Sequence, residues 1–125
     1  MILDTNGLSA LVEGDPALES SLRKAAQVVL PVIVLGEYRY GVSQSRYRNQ
    51  YEQWLSKYLS SFRILDVDER TTVAYSTVRI ELKKAGTPIP SNDVWIAALC
   101  RQHSLPILSR DRHFDLVAGI TRMEW

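Results

Sequence analysis

Four carboxylates in this chain stand where α/β proteins place their chemistry. Asp4 directly follows the apolar run Met1-Ile2-Leu3, and Asp111 comes just after the run Ile107-Leu108. If both runs are strands of one parallel sheet, the two acids emerge at the same edge. Asp93 opens the strongly apolar stretch Val94 to Cys100, and Glu37 lies one turn before Gly41 behind Val34 and Leu35. Convergence of these four is costly, because two carboxylates about 4 Å apart repel by roughly 4 kcal/mol at an effective dielectric of about 20. Such a cluster persists by sharing protons or by holding a cation. Oxygen donors with little histidine suit a hard divalent ion, Mg²⁺ or Mn²⁺. An ion of that kind activates water and neutralises charge on a phosphodiester. One ion or two stays open, and so does a plain reading of each acid. Asp4 and Asp93 fit helix N-caps or first-turn acids, Glu37 a solvated helix residue, and Asp111 a turn former.

The elements that must position these acids follow from periodicity and breakers. Strands are expected at Met1-Ile2-Leu3, Val28-Val29-Leu30, Phe62 to Val67, Pro106-Ile107-Leu108 and Ile120 to Met123. A short helix carries Leu8, Leu11 and Val12, and a second runs over about Ala17 to Ala26 behind Pro16. Val32 to Leu35 is ambiguous. Its β-branched run favours strand, whereas Pro31 reads as a helix opener, giving a helix to about Tyr40 that Gly41 stops. Tyr47, Tyr51, Trp54, Leu55, Tyr58 and Leu59 recur at helical spacing. They suit the core, a protein interface or, least well, RNA stacking. The helix from Glu69 to Ala85 shows a stripe of Val73, Ala74, Thr77, Val78, Ile80 and Leu82 before Gly86. Asp93 to Gln102 is apolar almost all round and should be central, with Cys100 as a buried small side chain. A last helix is expected near Arg112 to Val117. This alternation predicts an α/β fold, a three-layer sandwich with a short, mostly parallel sheet flanked by helices.

Composition narrows the classes. The 125 residues suit a single domain over 1–125, with 46% hydrophobic and 23% charged residues. Fifteen Lys and Arg against fourteen Asp and Glu give a net charge of +1, so nucleic-acid binding would rest on local patches. One cysteine and two histidines exclude an internal disulfide and a cysteine-histidine zinc cluster. No stretch has the 18 or so apolar residues of a membrane span, and the first residues lack a secretory pattern, so the expectation is a cytoplasmic chain. A receiver domain would want a lysine near Ile107-Leu108-Ser109-Arg110, and an Asp-x-Asp phosphatase fails because residue 6 is Asn. A binding protein with an incidental acid cluster stays open.

Four segments together resemble the PIN domain, and within it the VapC-type toxins of toxin–antitoxin pairs. They are Ile2-Leu3-Asp4-Thr5-Asn6, then Leu35-Gly36-Glu37-Tyr38-Arg39-Tyr40-Gly41, then Gly86 to Ala98 around Asp93, and Ser109-Arg110-Asp111-Arg112-His113-Phe114. The resemblance runs from Met1 to Trp125. It implies a magnesium-dependent endoribonuclease, with manganese as substitute, that cleaves structured RNA such as tRNA or rRNA by metal-activated water. It implies Asp4, Glu37, Asp93 and Asp111 as catalytic acids and metal ligands, with Thr5, Asn6 and Ser109 orienting carboxylates, water or phosphate. A cognate antitoxin laid across the pocket and a homodimer are implied as well. A related nuclease acting on other RNA or on DNA is the alternative. Asp115 competes with Asp111 for the fourth role. Arg110 and Arg112 are candidates for phosphate or antitoxin contact, whereas Arg39, Arg46 and Arg48 divide between phosphate and solvent. His113 is expected to stay outside the chemistry.

Overall fold

The computed structural model describes residues 1–125. Its strands are β1 (Ile2–Leu3), β2 (Val29–Pro31), β3 (Arg63–Leu65), β4 (Ile107–Leu108) and β5 (Arg122–Met123). They form one sheet in the order β3-β2-β1-β4-β5, and every neighbouring pair is parallel. Ile2 aligns with Val29 on one side and Ile107 on the other. Successive residues in β1, β2 and β4 are all buried. Neighbouring side chains on a strand point to opposite faces, so both faces of the sheet are covered. The cover is six helices: α1 (Thr5–Val12), α2 (Pro16–Arg23), α3 (Val32–Ser43), α4 (Arg48–Tyr58), α5 (Glu69–Lys84) and α6 (Ser91–His103). Short 3₁₀ turns follow at Leu59–Ser61 and Arg112–Leu116. The expected α/β sandwich is therefore observed, with a sheet that is parallel throughout.

The chain moves outward from β1 to β2 to β3, then returns past β1 to β4 and β5. The reversal lies between β1 and β4. Open parallel sheets bind ligands at such a point, beyond the C-terminal ends of the strands. Asp4 leaves β1 there, and Ser109 leaves β4 beside it.

Several elements differ from expectation for identifiable reasons. Val32 to Leu35 are helical, and Pro31 both ends β2 and caps α3, with φ −61° and ψ 142°. Its fixed φ suits both roles. Gly41 does not stop α3, which runs to Ser43. Gly86 does follow the end of α5, with φ +71°, a value that favours glycine. On α5 the packed residues are Thr71, Val78 and Leu82, whereas Val73 and Ile80 are exposed. In α4 only Leu55 is fully buried; Tyr51 and Trp54 are half-buried, and Tyr47 and Tyr58 are exposed. The segment after Asp111 is a 3₁₀ turn and not an α-helix.

A polar clamp fixes the helix that carries Asp93. Asp68 caps α5 by accepting from the Thr71 amide at 3.0 Å, and the Thr71 hydroxyl accepts from the Asp68 amide at 3.1 Å. Thr71 is fully buried, and its hydroxyl reaches Gln102 Oε1 on α6 at 2.7 Å. Gln102 Nε2 donates back to Asp68 at 3.1 Å. Farther along the same pair of helices, Arg101 meets Glu81 at 2.9 Å. Buried polar groups satisfied this way specify one arrangement of α5 against α6. As expected, α6 is the most buried helix: Val94, Ile96, Ala97, Ala98, Leu99 and Cys100 are all buried. Burial pushes the Cys100 thiol up to about 12 and keeps it protonated and inert.

Candidate active site

Asp4 sits in the cap position of α1, in extended backbone that turns β1 into the helix. One carboxylate oxygen accepts from the Gly7 amide at 2.8 Å. The other accepts from the Ser109 hydroxyl. Asp4 is 5% exposed. Burial raises its pKa above the usual carboxylate value, the Ser109 and Gly7 hydrogen bonds pull the other way, and the charge of Asp111 adds to the rise.

Ser109 joins two of the acids. It is fully buried at the end of β4, and its hydroxyl oxygen accepts from the Asp111 amide at 2.9 Å while donating to Asp4. Arg122 supports this corner. Its Nη1 donates to the Ser109 carbonyl at 3.0 Å, and its guanidinium grips both oxygens of Asp115 at 2.8 and 2.9 Å. Arg122 thereby holds the Asp115 carboxyl below its usual range. That two-pronged ion pair gives Asp115 a strapping role between the 3₁₀ turn and β5, and Asp111 keeps the site position.

Asp111 caps the 3₁₀ turn, accepting from the His113 amide at 2.9 Å. The same tight turn brings the His113 ring back over the acids. Its Nδ1 lies 3.1 Å from Asp111 Oδ1 and 3.1 Å from Asp93 Oδ2. Asp93 occupies the first turn of α6, where the helix dipole favours a negative charge. Burial nevertheless raises its pKa, the bond to His113 opposes the rise, and Asp111 adds to it. The hydrogen bond to Asp93 raises the pKa of His113 in turn. One ligand atom from each of Asp93, Asp111 and His113 fits within 4.8 Å.

Glu37 approaches from α3. With Thr5, Ser9 and Tyr38 it lines a cavity of about 190 Å³. A second hollow runs from Glu37 to Asn92, the neighbour of Asp93. No hydrogen bond or ion pair joins Glu37 to the other acids, and none of the three aspartates lines either hollow. Thr5 Oγ1 is buried on that cavity and has no partner. Asn6 is exposed on the first turn of α1. Asp4, Asp93 and Asp111 thus come together and Ser109 orients two of them, whereas Glu37 and Thr5 line a cavity of their own. His113 is the participant that sequence reasoning set aside. Its signal was the spacing Asp111-x-His113 beside an anchoring Phe114.

The arginines divide. Arg110 lies over the Trp125 ring at 4.6 Å and donates to the Trp125 carbonyl at 2.9 Å. Arg48 pairs with Glu52 at 3.2 Å, and Arg46 covers the Tyr47 ring. Arg39 and Arg112 are exposed.

Carboxylate oxygens of Asp93 and Asp111 and an imidazole nitrogen of His113 lie close enough to hold a divalent cation, with the buried Asp4 joined to them through Ser109. The precision of this arrangement depends on Gly7. A Cβ there would lie 3.0 Å from Leu3 Cδ2, 3.1 Å from Asp4 Oδ1 and 3.4 Å from the Leu108 carbonyl. Alanine gains up to about 1 kcal/mol of helix propensity, but overpacking costs about 1–3 kcal/mol. Gly7→Ala should therefore destabilise the protein and shift Asp4. Gly41→Ala in α3 meets nothing within 4 Å and should stabilise it by about 0.5–1 kcal/mol. Urea denaturation of both variants checks the contrast, and equal effects would refute it.

Residues 1–120 match the PIN domain family. Ribonuclease VapC2 of Rickettsia felis is 36% identical over 105 residues, covering 83% of this chain and 78% of that protein. The tRNA(fMet)-specific endonuclease VapC of Salmonella typhimurium is 24% identical, covering 99% of this chain and 96% of that one. Among solved structures, VapBC2 from Rickettsia felis bound to a DNA fragment from its promoter superposes with a TM-score of 0.89. It is 26% identical and covers 99% of this chain and 97% of that one. The fully parallel sheet agrees with these matches, and the chain belongs to the PIN-domain family, among the VapC ribonucleases.

Proposed function

We propose that this endoribonuclease toxin hydrolyses phosphodiester bonds of structured RNA, transfer RNA being the favoured class, with a divalent cation held by Asp4, Asp93 and Asp111. The observation that carries the reading is the Asp4–Ser109–Asp111 linkage with Asp93 alongside. It concentrates negative charge at the ligand-binding edge of a parallel sheet. Mg²⁺ is the expected ion and Mn²⁺ its substitute. When bound, such an ion neutralises charge on the phosphodiester and makes water a better nucleophile at neutral pH.

The chain's own residues do the rest. Ser109 and the Gly7 amide hold Asp4 in one orientation, so its oxygens need no reorganisation. Glu37, on the cavity it shares with Thr5, takes a proton from water or holds water for the phosphate. Thr5 Oγ1 supplies a donor to a phosphate oxygen or to that water. Asn6, exposed beside it, contacts substrate. Arg112 and Arg39, both exposed, offer guanidinium groups to RNA phosphates at the rim. A cognate antitoxin covers this edge, and a second copy of the chain completes a homodimer. The Salmonella typhimurium relative, named for tRNA(fMet), favours tRNA, and the Rickettsia felis complex favours the antitoxin. No helix is long and apolar enough to cross a membrane, and the cytoplasm, where tRNA is found, is the proposed site of action.

The test uses antitoxin-free protein on total structured RNA with Mg²⁺, with Mn²⁺ and with excess EDTA. Discrete fragments that need the cation are expected. The cation should also raise the melting temperature, because it binds the folded state alone; at 100 times its Kd the gain is about 2.7 kcal/mol. Fragments that persist in EDTA, or a folded protein that cuts nothing and gains no stability, would overturn the reading.

A further inference from the structure

We propose that His113 is a nitrogen ligand of the divalent ion, and that it shifts the site's preference from Mg²⁺ toward Mn²⁺. This deepens the divalent-ion reading above and rests on it. Adjacent donors on an octahedral ion with bonds of about 2.1 Å lie √2 times that distance apart, about 3.0 Å. His113 Nδ1 stands 3.1 Å from Asp93 Oδ2 and 3.1 Å from Asp111 Oδ1. Both separations match adjacent corners of one coordination octahedron. The two carboxylates also fit within the same 4.8 Å group, which admits them as adjacent or opposite corners.

The ring is held there by the backbone. The His113 amide donates to Asp111 Oδ1 at 2.9 Å, and the next residue, Phe114, is buried in the core. About half of the His113 side chain is exposed, so solvent and ions reach Nδ1. Without an ion Nδ1–H donates to Asp93; an ion bound between the three groups takes the place of that proton, and the ring keeps its other proton on Nε2. Both ions favour oxygen donors, but Mn²⁺, a first-row transition ion, also accepts an imidazole nitrogen, whereas Mg²⁺ dehydrates reluctantly and keeps its waters. Two carboxylate oxygens and one nitrogen therefore make a donor set better matched to Mn²⁺ than three oxygens would be. The same 3.1 Å suits an imidazole N–H shared between two carboxylates, and nitrogen coupling to bound Mn²⁺ distinguishes the two arrangements.

The test reads coordination directly. Mn²⁺ is added to the purified, antitoxin-free full chain, and pulsed electron paramagnetic resonance records coupling to directly bound nitrogen. Parallel calorimetry measures Mn²⁺ and Mg²⁺ affinities for wild type and for His113→Gln. Wild type should show nitrogen coupling that changes when its histidines carry ¹⁵N. In His113→Gln the coupling should vanish and Mn²⁺ affinity should fall by about 10-fold or more, with a much smaller change for Mg²⁺. His113→Asn serves as the second variant should glutamine perturb folding, which circular dichroism checks. Mn²⁺ bound without nitrogen coupling, or with equal affinity in the variants, overturns the histidine assignment. Metal-dependent RNA cleavage, measured on the same preparation, separates the outcomes. Cleavage with no nitrogen coupling leaves the nuclease reading standing and removes the ligand. Neither a bound ion nor cleavage overturns both.

Discussion

Asp4→Asn should abolish metal-dependent cleavage and, at neutral pH without divalent cation, leave the protein more stable than wild type. Removing a partner that only orients a ligand costs about 10- to 100-fold. Loss of a ligand's own charge should exceed the upper figure. The stability gain follows from linkage. Burial raises the Asp4 pKa above its ordinary 3.8. For a carboxyl raised in the folded state, the stability it contributes is full below the unfolded pKa and is lost as pH rises through the folded one. At neutral pH the wild type has lost it, whereas Asn never ionises. The amide oxygen still accepts from Gly7, and its NH₂ donates to the Ser109 oxygen, which reverses that bond and frees the Ser109 proton. The two proteins should therefore unfold alike near pH 3 and diverge as pH rises past 4. Saturating Mg²⁺ or Mn²⁺ should reverse the order, since only the wild type offers the full charge to the ion. Urea titrations at several pH values, with and without cation, measure this. A folded Asp4→Asn protein that still cleaves RNA would end its assignment as a ligand.

Phe114→Ala carries the largest expected stability loss. Phe114 is 1% exposed, the largest of the fully buried side chains, and it lies in the turn that presents Asp111 and His113. Truncating a buried phenylalanine costs about 3–5 kcal/mol through lost transfer energy and a residual cavity. A domain holds only about 5–15 kcal/mol in all. The variant should thus sit near the edge of folding. Its turn should also loosen, because the anchor beside His113 is gone. Phe114→Leu, which keeps most of the volume, should recover much of the stability and of the cleavage. Denaturant midpoints with cleavage rates on the same samples decide it. A loss below about 1 kcal/mol would show that the turn is held by its hydrogen bonds instead.

Much of this was legible in the sequence, and the gaps have physical causes. The turn chemistry after β1 and β4 marked Asp4 and Asp111, and the nearly all-apolar α6 announced its own burial. The Ser109 hydroxyl was expected to orient a carboxylate and is bonded to Asp4. Gly41 misled because glycine weakens a helix without ending it, and α3 is carried past it by the buried Val42. On α5 two apolar stripes compete. Residues 71, 78 and 82 pack, and residues 73, 77 and 80 face out. Periodicity finds both and chooses neither, since the choice depends on α6. The Thr71–Gln102 bond, 31 residues apart, makes that choice. His113 was missed for a similar reason. An imidazole next to acids in sequence reads as solvated until the 3₁₀ turn folds it back over Asp93, 20 residues away.

The Asp4–Ser109 bond joins residues 105 positions apart. The central strand β1 is thus made well before β4, the strand that completes the edge carrying Asp4 and Ser109. At about 5–20 residues per second, Asp4 waits about 5–20 s on the ribosome before Ser109 exists. Throughout that interval β1 has one flank unpaired, and the nascent chain has no cleft that could cut RNA. The order of the strands therefore acts as a timer: the acidic edge of the sheet cannot assemble until the segment carrying β4 has been made.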